Sequence, residues 1–277
     1  MPKPHDLGRI ANQLRADVLG MVHTAGAGHV AGPLSSADII ASLYFGGLVD
    51  LKQDKIVLSC GHYCPVQYAA LARAGYFPLE ELKTFMQVGS RLPGHPERGM
   101  TPGIEVSTGP LGQGASVAVG MAMGLKMKYG ERAQKITPRV YCIISDGELQ
   151  EGQVWEAFNL AVRRQLDNLT FILDRNRVQI ENYVSQVATY GNVTGRPASP
   201  AGRLEAFGLN VREIDGNKIG EVIKALEWSK SEMGGPSMIV ANTVAGRGVS
   251  FMENKPVWHD RVPTDEELKD AIKELDV

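Results

Sequence analysis

Residues 139–178 constrain the fold more than any other stretch of the chain. They read RVYCIISDGELQEGQVWEAFNLAVRRQLDNLTFILDRNRV. Two apolar runs, 140–144 and 169–173, flank a segment in which Val154, Trp155, Phe158, Ala161 and Val162 recur at three- and four-residue spacings, placing them on one face of a helix. The pattern is strand–helix–strand, and two strands joined in this way lie parallel. Polar residues stand where each strand ends: Ser145-Asp146-Gly147 after the first, Asp174-Arg175-Asn176 after the second. Open α/β sheets bind ligands beyond the carboxyl ends of their strands. Asp146 and Asn176 are therefore expected to face one another at one sheet edge. A carboxylate and a carboxamide oxygen are hard ligands, suited to Mg²⁺ or Ca²⁺. Gly147 lets the backbone approach a ligand and is expected to open a helix N-terminus, a seat for phosphate.

The rest of the chain repeats this alternation. Apolar periodicity predicts a helix over 6–24. A loop with three glycines, 25–33, follows, and Ser36 is read as the N-cap of a helix running to about 45. A short strand over 55–59 ends at Cys60-Gly61-His62, and a helix over 65–74 is stopped by Gly75. Residues 88–114 are too rich in Gly and Pro for regular structure. A loop of that length inside a compact domain points to function. The segment 115–128, apolar nearly all round, predicts a buried helix. Residues 177–202 read as irregular, 203–207 as a helical turn, 210–214 and 236–243 as strands, and 218–230 as an amphipathic helix. A terminal helix is capped by Thr264 with Glu267 three residues on. No linker interrupts the series. The expected architecture is one α/β domain over 1–277, with a mainly parallel sheet of five or six strands and helices on both faces.

Composition excludes several classes of function. A formal net charge of −2 and a pI near 6.3 give no reason to propose a nucleic-acid partner. No apolar run approaches the roughly 18 residues that a membrane span needs, and no signal peptide is read at the start. Three scattered cysteines, Cys60, Cys64 and Cys142, form no disulfide framework and fit a reducing cytoplasm. Four of the six histidines, His29, His62, His95 and His259, sit in Gly- or Pro-rich loops. Histidine there can donate to phosphate or an oxyanion and can move a proton near neutral pH.

These motifs, in this order, resemble the N-terminal, diphosphate-binding part of transketolase, a thiamine diphosphate enzyme. Its Gly-Asp-Gly…Asn signature corresponds to Ser145-Asp146-Gly147…Asn176, with residues 148–175 between. Ala27-Gly28-His29, Ser59-Cys60-Gly61-His62 and Pro93-Gly94-His95-Pro96-Glu97 are similar to the family's three histidine loops. Residues 107–114 (STGPLGQG) resemble the loop that packs on the thiazolium ring, and 148–152 (ELQEG) the start of the metal helix. Two departures stand out: Ser145 replaces a glycine, and Val30-Ala31 follows His29 where the family has Pro-Gly.

The resemblance implies a set of roles. Asp146, Asn176 and the backbone carbonyl of Val178 would bind Mg²⁺ (or Ca²⁺ or Mn²⁺), and Gly147 would give its N–H to a phosphate of thiamine diphosphate. His29 and His62 would contact the diphosphate and the reacting centre, His95 the donor's first hydroxyl and carbonyl oxygen, with His259 a fourth catalytic histidine. Gly109 and Leu111 would lie against the thiazolium ring, and Glu151 would face a subunit interface. The reaction would be transfer of a two-carbon ketol unit from a ketose to an aldose, commonly sugar phosphates. The pyrimidine-binding and C-terminal domains of transketolase are absent, so a separate C-terminal subunit is expected, in an α₂β₂ assembly. Rival readings are half of another thiamine diphosphate enzyme (the α chain of a 2-oxo acid dehydrogenase or a deoxyxylulose phosphate synthase), an enzyme acting on a sulfonated or branched sugar, a non-catalytic scaffold, and a nicotinamide-dependent dehydrogenase. The glycine order of 109–114 argues against the last.

Overall fold

The computed structural model describes residues 4–130, 137–180, 182–187 and 199–277. Helices α1 (Pro4–Ala25) and α2 (Ala31–Phe45) precede strand β1 (Lys55–Leu58) and helix α3 (Cys64–Arg73). A long loop leads to α4 (Gln113–Tyr129), β2 (Val140–Ser145), α5 (Gly152–Arg163) and β3 (Leu169–Arg175). Short elements follow: β4 (Val178–Gln179), β5 (Asn182–Tyr183), α6 (Val184–Val187) and α7 (Ala201–Ala206). The chain closes with β6 (Asn210–Asp215), α8 (Ile219–Ser231), β7 (Ser237–Asn242) and α9 (Asp265–Leu275).

Five strands pair in the order β1-β2-β3-β7-β6, and every pairing is parallel. β4 and β5 form a separate antiparallel ribbon. The expected strand–helix–strand unit is thus β2-α5-β3, with Ser145 in register with Asp174. Successive residues of β2 feed opposite cores. Tyr141 and Ile143 join the cluster built with α1, α2 and α3, whereas Val140, Cys142 and Ile144 join the one built with α4 and α5. A parallel sheet covered on both faces needs such continuous apolar strands, because each face of each strand buries its own side chains. The helices therefore lie on both faces, as expected.

Three local expectations need correction. α2 starts five residues before Ser36, which lies inside it and donates its hydroxyl back to the Gly32 carbonyl at 3.0 Å. Pro33 is tolerated in the first turn, where its missing N–H has no intrahelical partner anyway. The helix start is fixed by tertiary packing instead: a Cβ on Gly32 would lie 2.1 Å from the Tyr63 ring. Second, α4 is not buried all round. Ala115, Ala118, Val119 and Ala122 face the core, whereas Val117 and Met127 are 40% and 83% exposed. Third, Gly147 opens a single 3-10 turn (Gly147–Gln150), and α5 begins only at Gly152. The Thr264–Glu267 capping box is present as read. Of the stretch 177–202 read as irregular, residues 181 and 188–198 lie outside the described residues, and the rest includes β4, β5 and α6.

Candidate active site

The strands of the sheet end on one edge, and the polar residues that follow them share it. Asp174 is the last residue but one of β3 and is completely buried. Its carboxylate accepts hydrogen bonds from the hydroxyls of Ser35 (2.7 Å), Tyr63 (3.0 Å) and Thr243, and from Asn176 Nδ2 (3.0 Å). Burial pushes this carboxyl up, and the four donors oppose the shift. Asn176 is oriented by the same cluster. Its Nδ2 faces Asp174 Oδ2 and the oxygens of Ser35 and Tyr63, while Oδ1 accepts the Val178 N–H at 2.9 Å. A flipped amide would set its oxygen against a carboxylate, so the network determines which way the amide points.

Asp146 follows β2 and is 1% exposed. Its Oδ2 accepts the Arg177 N–H at 2.6 Å. That bond joins the end of β2 to the turn of Asn176 and Val178, so the three oxygen-bearing residues expected together are together. Burial raises the Asp146 carboxyl to about 7, against the lowering pull of the Arg177 N–H. Arg177 holds this turn with φ of +67°, a strained conformation for a residue with a side chain. Gly147 has neither a positive φ nor a crowding protein neighbour: a Cβ there would meet only the Gln179 side chain, at 3.5 Å. Glycine at this point leaves the backbone open to something outside the chain.

The histidines join this floor through Tyr63, whose ring meets that of His62 at 4.7 Å and whose hydroxyl meets Asn176. The rings of His29 and His62 are 4.8 Å apart, those of His29 and His259 5.2 Å, and those of His62 and His259 5.6 Å. His259 is fixed through its backbone carbonyl, which accepts the Val30 N–H at 3.0 Å. Burial and the neighbouring histidines lower His29 to about 4 and His62 to about 2; burial also lowers His259. All three are neutral at pH 7, so each ring offers one N–H donor and one bare acceptor nitrogen. His95 is exposed, its ring 3.4 Å from the position a Cβ on Gly109 would take. Its carbonyl accepts the Tyr68 hydroxyl at 3.2 Å. Gly109 and Leu111 belong to the loop entering α4, which is laid on the end of β1: the Thr108 hydroxyl donates to the Leu58 carbonyl at 2.7 Å. Glu151 is exposed where α5 begins.

Three side chains have roles that the sequence does not assign. Asp174, Tyr63 and Thr243 build the support beneath Asn176, and each reads as ordinary core or turn in the sequence. The one available signal was a carboxylate inside the otherwise apolar run of β3.

An open parallel sheet with acidic and amide groups beyond its strand ends and neutral histidines beside them is a small-molecule-binding α/β domain of the doubly wound type. The family model described as "Transketolase, thiamine diphosphate binding domain" matches residues 7–276, and the chain belongs to that family. It is 40% identical to the 6-deoxy-6-sulfo-D-fructose transketolase subunit SqwG of Clostridium sp. (strain MSTE9), over 98% of this chain and 96% of that protein. It is 36% identical to an apulose-4-phosphate transketolase subunit of Actinobacillus succinogenes, over 98% of this chain and 96% of that protein. Among solved structures, transketolase from Leishmania mexicana superposes with a TM-score of 0.87 at 32% identity, covering 98% of this chain. The match spans 41% of the Leishmania chain.

Proposed function

We propose that this chain is the diphosphate-holding subunit of a two-chain transketolase. The observation that carries the reading is the convergence of Asp146, Asn176 and Val178 on one strand edge beside three neutral histidines. The donor set fits a hard divalent cation: a buried carboxylate, an amide whose oxygen is turned away from Asp174, and a backbone carbonyl. The cation is Mg²⁺, or Ca²⁺ or Mn²⁺ in its place, held by Asp146, Asn176 and Val178, with the Gly147 N–H toward a phosphate. Thiamine diphosphate, when bound, supplies the chemistry that breaks and makes the carbon–carbon bond. The chain's residues bind and orient around it. His29, His62 and His259 donate to the diphosphate and to the reacting oxygens. His95 holds the first hydroxyl and carbonyl oxygen of the ketose donor. Gly109 and Leu111 lie along the thiazolium ring.

The partner is a second chain carrying the pyrimidine-binding and C-terminal domains, in an α₂β₂ assembly. Three features support it. Relatives that match this chain over nearly their whole length are named as transketolase subunits. The outer face of α4, with Val117 and Met127, presents apolar surface of the kind a partner covers. Glu151 stands exposed at the start of α5, available to such an interface. No helix among the described residues is long and apolar enough to cross a membrane, and with three buried free cysteines this supports a cytoplasmic enzyme. The two relatives are named for 6-deoxy-6-sulfo-D-fructose and for apulose 4-phosphate. A modified ketose, sulfonated or branched, is accordingly the substrate class favoured over an ordinary pentose phosphate.

The test is coexpression with a candidate C-terminal partner chain, followed by an assay over a panel of plain, sulfonated and branched ketoses with an aldose acceptor. The pair is expected to transfer ketol units, and the chain alone is not. Robust turnover by the purified single chain would overturn the two-chain reading.

A further inference from the structure

One buried carboxylate belongs to none of the roles above, yet it touches three parts of the site. Glu148, in the turn after Asp146, is 0% exposed. Its Oε1 accepts the Ser59 hydroxyl and, at 2.7 Å, the Gly112 N–H; its Oε2 lies 3.4 Å from the Ser145 N–H. Ser59 leads into Gly61-His62, Ser145 into Asp146, and Gly112 ends the loop that carries Gly109 and Leu111. Gly112 reaches the carboxylate in a left-handed conformation, φ +85°, which glycine adopts without strain. The loop is packed down on the same floor, since a Cβ on Gly114 would lie 2.5 Å from the Ser59 Cα. A buried carboxylate binding neutral donors makes stronger hydrogen bonds than a neutral acceptor would.

We propose that Glu148 is a positioning residue: it clamps the 108–114 loop onto the strand ends bearing His62 and Asp146, and so sets the spacing between the ring-facing loop and the diphosphate floor. The spacing role rests on the function proposed above. The clamp does not, and it concerns the protein alone.

The experiment uses the chain assembled with its partner. Glu148→Met keeps the side-chain volume and removes every acceptor. Replacing a buried charge by an apolar group of similar size is often neutral or stabilising, so the unfolding midpoint is expected at or above wild type. Amide hydrogen exchange over 107–114, measured without cofactor, is expected to rise. Thiamine diphosphate affinity, by calorimetry, is expected to fall about tenfold. Glu148→Gln keeps an acceptor at Oε1 and is expected to restore most of that affinity. Unchanged exchange over 107–114 in Glu148→Met overturns the clamp, whatever the cofactor does. Raised exchange with unchanged affinity overturns the positioning role, and so does an affinity loss that merely tracks the unfolding midpoint. If Glu148→Met does not fold, Ser59→Ala removes the tether to β1. It is expected to raise exchange over the same residues, and unchanged exchange there overturns the clamp equally. A wild-type assembly that binds no thiamine diphosphate sinks the proposed function instead, and the clamp then stands or falls on exchange alone.

Discussion

The site has a floor and a rim, and the two are built differently. The floor is Asp146, Glu148, Asp174 and Asn176, all between 0% and 3% exposed and each hydrogen-bonded to a residue outside its own strand or turn. Its residues lie at or just beyond the ends of β2 and β3, so the strand register that pairs Ser145 with Asp174 sets their spacing directly. The rim is His29, His62, His95 and His259, brought in on four separate loops. The first, second and fourth are half-buried and His95 is exposed. The rings of His29, His62 and His259 crowd one another, and each would repel its neighbours if charged. The floor is thus part of the fold, and preorganised by it. The rim rests on the fold, and burial holds His29, His62 and His259 uncharged. Changes in the floor should therefore disturb folding or cofactor retention, whereas changes in the rim should disturb chemistry and pH response.

The strongest way to break this contrast is Asp174→Ala. It strips Ser35, Tyr63, Thr243 and Asn176 of a shared buried acceptor and should cost about 3–5 kcal/mol, read by urea unfolding. A loss below about 1 kcal/mol would mean that the floor does not support the fold in the way described. Next comes Asp146→Ala. The assembled enzyme should lose about a hundredfold or more in affinity for Mg²⁺ and thiamine diphosphate by calorimetry, roughly 2.7 kcal/mol. The metal-free chain should lose little stability, because burial disfavours this carboxylate's charged form. Unchanged cofactor affinity would count against the metal assignment.

The smallest effect belongs to the rim. His62→Gln should change stability at pH 8 by less than about 1 kcal/mol. It should, however, flatten the acid side of the stability curve. His29 and His62 titrate from 6.5 when unfolded to about 4 and about 2 when folded. The unfolded chain therefore takes up protons first, and stability present above pH 6.5 is lost as pH falls through the window down to those values. Removing His62 removes its share of that loss. Urea unfolding of wild type and variant between pH 7 and 4.5 checks the sign, and a steeper acid loss in the variant would contradict it.

Much of the fold was legible in the chain because its signals are local. Apolar runs bounded by turn residues placed all five strands of the main sheet, and the Thr264–Glu267 cap is a contact three residues long. Asp146 and Asn176 were legible for a related reason: each follows a strand, and parallel strands joined by one helix must end together. Ser36 misled because a good capping residue was outweighed by packing of Gly32 against Tyr63, thirty-one residues on. α4 misled because an apolar sequence does not say which of its faces this chain covers. Asp174 shows only as a carboxylate ending an apolar run, and Glu148 carries no local signal, since their partners lie at Ser35, Thr243, Ser59 and Gly112.

The sequence by itself determined a mainly parallel sheet with helices on both faces, the strand edge where ligands belong, and the residue types waiting there. Periodicity and turn chemistry act between near neighbours, and that is enough to define strands, helices and their ends. Tertiary structure alone decided which way the Asn176 amide points, that His29, His62 and His259 stay neutral, and that Asp174 and Glu148 are bound by donors from distant segments. Those properties depend on burial and on contacts between residues far apart in the chain, which exist only once the sheet has brought them together.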